Sequence, residues 1–142
     1  KDIDFFIFGE SIFVNNKANF ESVLNYKEAH VQDFAALQAE PEFLAVFADL
    51  GPIVLHVGEN KIQLRRASAI KQKGHYRDPD FMDRLRARHA LFGLNLQFDA
   101  DGKIIPTPET CRDIFQALLD HRLESGFSSN IYDVPDARRV AV

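Results

Sequence analysis

Tryptophan is missing from this chain, cysteine and methionine occur once each, and only seven glycines and six prolines interrupt its 142 residues. The single cysteine, Cys111, excludes an internal disulfide and any multi-cysteine metal site, which suits a reducing compartment. No apolar run approaches the roughly 20 residues that cross a bilayer, and no signal-peptide pattern is present. A cytoplasmic location is the expectation. In place of tryptophan there are thirteen phenylalanines, so a core built largely on Phe is expected. At 46% hydrophobic content, residues 1–142 suffice for a single domain and are too few for two. The chain opens on KDIDFFIFG, without an initiator methionine or a polar lead-in, which predicts the C-terminal portion of a longer protein.

Charge is distributed unevenly. Nine bases (Lys61, Arg65, Arg66, Lys71, Lys73, Arg77, Arg84, Arg86 and Arg88) stand against Asp78, Asp80 and Asp83, a local net charge of +6. The whole chain carries −4, which leaves −10 for the remainder. An acidic body with one basic insert predicts a surface turned toward a polyanion.

Within that insert, GHYRDPDF (Gly74 to Phe81) reads as the joint between two helices. Gly74 can close the first in a left-handed conformation, Asp78 can cap the second, and Pro79 suits its first turn. On the second helix Phe81, Met82, Leu85 and Phe92 share one arc, and Gly93 ends it. Arg84 and Arg88 flank the arc on one side and Arg86 on the other, so all three guanidinium groups are expected in solvent. The first helix, Asn60 to Lys73, shows a stripe of Ile62, Ala69 and Ile70 with Arg66 and Lys73 projecting inside it. Its alternation of Ile62 and Leu64 with Lys61, Gln63 and Arg65 would also suit a short strand; helix is the reading adopted.

Upstream, Ile3 to Phe8 and Ile12 to Asn15 read as a β-hairpin around Gly9-Glu10-Ser11. Helices are expected over Asn16 to Asn25, over Tyr26 to Ala39 and from Pro41, the last ended by Gly51-Pro52. Ile53 to Val57 is a buried run, helix or strand. After Gly93, Leu94, Leu96 and Phe98 alternate with polar residues, Asp99 to Gly102 turns, and Lys103-Ile104-Ile105 returns, which reads as a hairpin. Thr107-Pro108 starts a helix with Cys111, Ile114, Phe115, Leu118, Leu119 and Leu123 on one face, closed by Gly126. Asn130 to Val134 is a last strand. Together these predict an α+β domain, with helices packed against a small, mostly antiparallel sheet.

Motifs that could carry chemistry are few. Asp99-Ala100-Asp101-Gly102 imitates part of a calcium loop, but the implied first and twelfth positions hold Gln97 and Pro108 where carboxylates are needed; a turn is the expectation. Asp99, Asp101, Glu109 and Asp120 could gather Mg²⁺ for phosphodiester cleavage, yet they lie on a turn, a helix start and a helix end, where capping and solvated roles are commoner. Asp120, His121 and Arg122 are expected in the last turn of their helix, complementing its exposed carbonyls. His89 is expected as a buried, hydrogen-bonded imidazole, and Cys111 as an inert core thiol. No catalytic residue, metal site or cofactor emerges.

Four stretches carry a resemblance when taken in order: FVNNKANFE (Phe13 to Glu21), GHYRDPDF, GLNLQFDADGKI (Gly93 to Ile104), and DHRLESGF followed by NIYDV (Asp120 to Val134). Across nearly its whole length the chain resembles the KwaB-like family, the B subunits of the Kiwa antiphage defence system. That resemblance implies a C-terminal domain of a cytoplasmic defence protein that engages DNA beside a membrane-embedded partner subunit. Ser128-Ser129 stand where related versions often carry Gly, a departure that touches turn geometry. The resemblance brings no catalytic residues.

The functional expectation is a non-enzymatic, largely sequence-independent DNA-binding domain. The nine basic side chains would hold the phosphate backbone of duplex DNA, because the second helix lacks the Asn and Gln that read base edges. The alternatives are a module that docks a membrane subunit or builds a homo-oligomer, and a metal-dependent nuclease. Homo-oligomerisation and membrane association through a partner are expected.

Overall fold

A computed structural model describes residues 28–135 and 137–140. The expected hairpin over Ile3–Phe8 and Ile12–Asn15 and the helix over Asn16–Asn25 lie outside the described residues.

Helix α1 covers 28–39 and buries Phe34 and Leu37, three residues apart on one face. Pro41 starts α2 (Pro41–Leu44), since a proline costs nothing at a helix start, where its missing N–H would have no partner. The helix from Pro41 stops at Leu44, well before the expected Gly51-Pro52, which instead opens a helix: α3 is Gly51–Val57, which settles Ile53 to Val57 as helical. Asn60 caps α4 (Lys61–Lys73), its side-chain oxygen accepting from the N–H groups of Ile62 and Gln63 at 2.9 and 3.0 Å. Gly74, at φ 67°, ends α4 as expected, with its N–H donating to the Ile70 carbonyl. A 3-10 turn, His75–Arg77, then leads to α5 (Pro79–Arg88), capped by Asp78. The expected continuation to Phe92 is a second 3-10 turn, His89–Phe92, stopped by Gly93 at φ 72°.

The stripe expected on α4 is corrected. Leu64, Ala67, Ser68 and Ile70 are buried, while Ile62 is half exposed. Lys73 and Arg66 follow Ile62 directly on the helix wheel, so that edge is the outward one, whereas Ile70 is buried as expected and Ala69 packs partly buried against the core.

The hairpin expected over Leu94 to Ile105 survives as a turn and a single antiparallel bridge, Phe98 with Ile104. Ile104 also bridges Phe47 in parallel, and its N–H and carbonyl bond Val46 and Ala48. The 94–96 backbone finds other partners: Leu94 N–H donates to the His89 carbonyl, and Asn95 N–H donates to Asp113 at 2.7 Å. Leu94 and Leu96 are buried all the same.

Helix α6 is Cys111–Leu118, shorter than the sequence pattern predicts. Asp120 adopts φ 61°, its N–H donates to the Ala117 carbonyl, and His121 N–H reaches back to the Gln116 carbonyl. This pair of bonds is a Schellman ending with aspartate where glycine is usual, so the chain turns off six residues before Gly126. Leu123 consequently leaves the helix face for strand β1 (Arg122–Glu124), which pairs antiparallel with β2 (Ile131–Asp133). The result is an α+β fold with, among the described residues, one small antiparallel sheet.

Phe43, Ile53, Val57, Leu64, Ile70, Ile104, Ile114, Phe115 and Leu118 fill the centre, each contributing about 1.5–3 kcal/mol through burial. Of the eight described phenylalanines only Phe34, Phe43, Phe47 and Phe115 are buried. Aliphatic residues therefore do most of the packing here, and Phe127 is fully exposed at the tip of the β1–β2 loop.

Candidate nucleic-acid interface

Helix α5 divides its arginines between two faces. Phe81, Arg84, Leu85 and Arg88 look onto one depression, whereas Pro79, Met82, Asp83 and Arg86 look onto another. The separation follows from the 3.6-residue repeat, which puts 84 and 88 one turn apart and 86 across the helix.

On the second face the bases are engaged. Arg77 donates from Nε to Glu40 Oε2 at 2.6 Å, and the Tyr76 hydroxyl donates to Glu40 Oε1 at 2.6 Å. The Arg77 hydrogen bond holds the Glu40 carboxyl below its ordinary value, against the burial that would raise it. Burial, with the bond to Glu40 second, pushes the Tyr76 phenol up. Arg86 donates to the Gly102 carbonyl at 2.7 Å and to Asp83 at 2.9 Å. The expectation of three guanidinium groups in solvent therefore fails for Arg86, which is drawn across to the Asp99–Gly102 turn.

The other face is a cleft of about 250 Å³ between α5 with its 3-10 extension and the end of α6. Arg84 is exposed and makes no ion pair among the described residues. Arg88 lies 5.4 Å over the Phe92 ring, and its nearest carboxylate, Glu124, is 4.0 Å away. Opposite them is Arg122, expected at a helix end but found on β1. Arg122 donates to the Phe92 carbonyl at 2.9 Å, to the Gly93 carbonyl at 3.3 Å and to Gln116 Oε1 at 2.7 Å, with Nε buried and unpaired. Among the described residues Asp120 is the one carboxylate lining the cleft.

Of the remaining bases, Lys73 is exposed but donates to the Leu119 carbonyl at 2.8 Å, which brings the end of α4 beside Asp120. His75 stacks on Phe81 at 4.6 Å, extending the cleft's aromatic wall toward α4. Lys61 and Arg65 share an exposed arc early on α4, with the half-buried Arg66 on its far flank. Half-buried Lys71 points to the side of Glu40, whose carboxyl it helps to lower. The nine bases thus form no single patch: Arg84 and Arg88 share the cleft with Lys73 nearby, Arg77 and Arg86 face the opposite way, Lys71 lies toward Glu40, and Lys61, Arg65 and Arg66 spread along α4.

Sequence reasoning missed Arg122, Gln116 and His75. Arg122 was hidden by the early end of α6, which no glycine or proline announces. A histidine six residues before Phe81 carried a weak signal for His75, once the turn between them was recognised.

The possible nuclease carboxylates do not meet as a ligand set. Asp99 Oδ1 accepts from the N–H groups of Asp101 and Lys103, both at 2.9 Å, bracing the turn. Asp120 lines the cleft and Glu109 precedes α6. Among the described residues no group of three metal-ligating side chains occurs. His89 is half-buried, its Nδ1 3.1 Å from the Leu94 carbonyl. Cys111 is fully buried, and that burial pushes its thiol up; the protonated form is the poorer nucleophile.

An α+β domain with a cationic, aromatic cleft is the class these features define. The chain matches the family described as Kiwa protein KwaB-like over residues 1–127 and belongs to that family, which associates it with antiphage defence. No curated protein and no solved structure matches it. Among the described residues no helix is long and apolar enough to cross a membrane.

Proposed function

We propose that this chain is a non-enzymatic DNA-binding domain of an antiphage defence protein, holding duplex DNA through its phosphates with little regard to sequence. The observation that carries this reading is the pairing state of Arg84 and Arg88. They stand one helical turn apart, Arg84 has no ion pair among the described residues, and the carboxylate nearest Arg88 is at 4.0 Å. Guanidinium groups left without close counter-charges are available to displace the cations condensed on DNA. Lys61, Arg65, Arg66 and Lys73 add charge along α4. Arg77 and Arg86, already engaged, contribute less than their exposure on a helix wheel would imply. A membrane-embedded partner subunit and self-association belong to the same proposal.

The test is duplex binding followed by fluorescence anisotropy across a salt series. Replacing Arg84 and Arg88 together with Ala should weaken binding alike on unrelated sequences and flatten the log K against log salt slope by about two units, near 0.9 per lost phosphate contact. Unchanged affinity would move the interface off α5. Loss confined to one sequence would mean base reading instead.

A second reading, a protein-docking module, draws on the apolar surface of α3 and α4, where Leu55 is 83% and Ile62 50% exposed. Sedimentation of the full chain distinguishes the two, since docking through that surface predicts association that salt does not dissolve.

A further inference from the structure

The cleft beside α5 contains more than a phosphate contact requires. Its volume, about 250 Å³, falls just below the roughly 300–1,000 Å³ of pockets for drug-sized molecules. One planar ring system fits; a double helix does not enter. Its walls hold Phe81 and Phe92 together with the guanidinium plane of Arg88, 5.4 Å over the Phe92 ring. Aromatic rings and arginine planes are the surfaces on which unstacked bases lie.

The polar groups inside are arranged by depth. Arg84 and Arg88 are exposed, whereas Gln116 is only 8% exposed. Its oxygen is taken by Arg122 at 2.7 Å, so the amide NH₂ remains as the donor in the cleft that Gln116 lines. Asp120, exposed like the two arginines, adds a carboxylate, which when ionised can only accept. A carboxylate in a site built for phosphate alone would repel the ligand. Beside a donor amide it can instead accept from the amino or imino groups of a base edge. The arginines therefore suit the phosphate, while a base lying against the rings would have its edge between the buried Gln116 amide and the exposed Asp120.

From this arrangement we infer that the cleft is a single-nucleotide site, which takes one unstacked base with its phosphate from single-stranded DNA. The inference rests on the DNA-binding reading above and gives that site a ligand class. A duplex would lie across the rim, and a strand would also place a base in the cleft.

The experiment uses the full chain with two labelled 12-nucleotide strands, oligodeoxythymidylate and the same backbone carrying abasic residues, and with duplex DNA as reference. The base-bearing strand should bind about tenfold more tightly than the abasic strand, within the range set by stacking of one base. Phe92→Leu, which keeps apolar bulk and removes the ring, should shrink that ratio toward one. A strand carrying 5-iododeoxyuridine should photocrosslink to Phe81, His89 or Phe92, a readout that needs no variant. Equal binding of the two wild-type strands, with duplex still bound, overturns the nucleotide site and leaves duplex binding standing; failure of every nucleic acid to bind overturns both. A large ratio that Phe92→Leu leaves intact, or crosslinks confined to other elements, overturns the location. Thymidine monophosphate as competitor separates the sources: displacement only at concentrations far above those of the strand supports a strand site, and equal potency overturns it in favour of a free nucleotide.

Discussion

Glu40 shows how much one side chain can remove from an apparent patch. It receives Arg77 through two nitrogens and the Tyr76 hydroxyl through one oxygen, converting a base of the insert into a structural cation. The Glu40 carboxyl is lowered in the fold, so its stabilisation is fully present above the unfolded value, about 4.3, and is lost as pH falls through the folded value. Glu40→Gln should therefore cost stability at neutral pH, about 1 kcal/mol for a pair this open to solvent. Thermal melts of the two proteins should converge in acid. A constant gap at every pH would mean that shape, not charge, holds Tyr76 and Arg77. Asp120 carries a different cost, since a residue with a Cβ at φ 61° is strained. Asp120→Gly should stabilise the domain by about 1 kcal/mol in urea denaturation, while emptying the cleft of its carboxylate.

At the scale of elements, the signals that were legible in the sequence were the local ones. Gly74, Asp78, Pro79 and Gly93 mark helix ends by backbone chemistry that needs no tertiary partner, and each sits where it was expected. On α4 the expected stripe and the buried face share Ile70, and only Leu64 and Ala67 packing inward turns that face away from Ile62. The end of α6 was invisible for a related reason. Aspartate at the closing position looks like any surface acid, and Leu123 falls on the helical repeat although it belongs to β1. With that ending missed, Arg122 and the far wall of the cleft were missed too. Arg84 and Arg88 were legible as a pair; the cleft they border was not, because it is made by residues about 30 positions away.

For the whole molecule, Ile104 is the point where distant segments join. It is fully buried and bridges both Phe47 and Phe98, so it ties the segment after α2 to the turn that receives Arg86. Ile104→Ala should cost about 2–5 kcal/mol, read as a lower urea midpoint with an unchanged slope. A cost below 1 kcal/mol would mean that the surrounding chain collapses onto the gap. Charge is divided on the same scale: the basic segment stands against a remainder of −10, yet its arginines separate onto opposite faces of α5. Arg122, finally, spans the cleft like a stay between two walls. Its bonds to Phe92, Gly93 and Gln116 couple α5's extension and α6 to the hairpin that carries Phe127 outward. Parting the walls means breaking those bonds, so one side chain moors the hairpin and both sides of the cleft together.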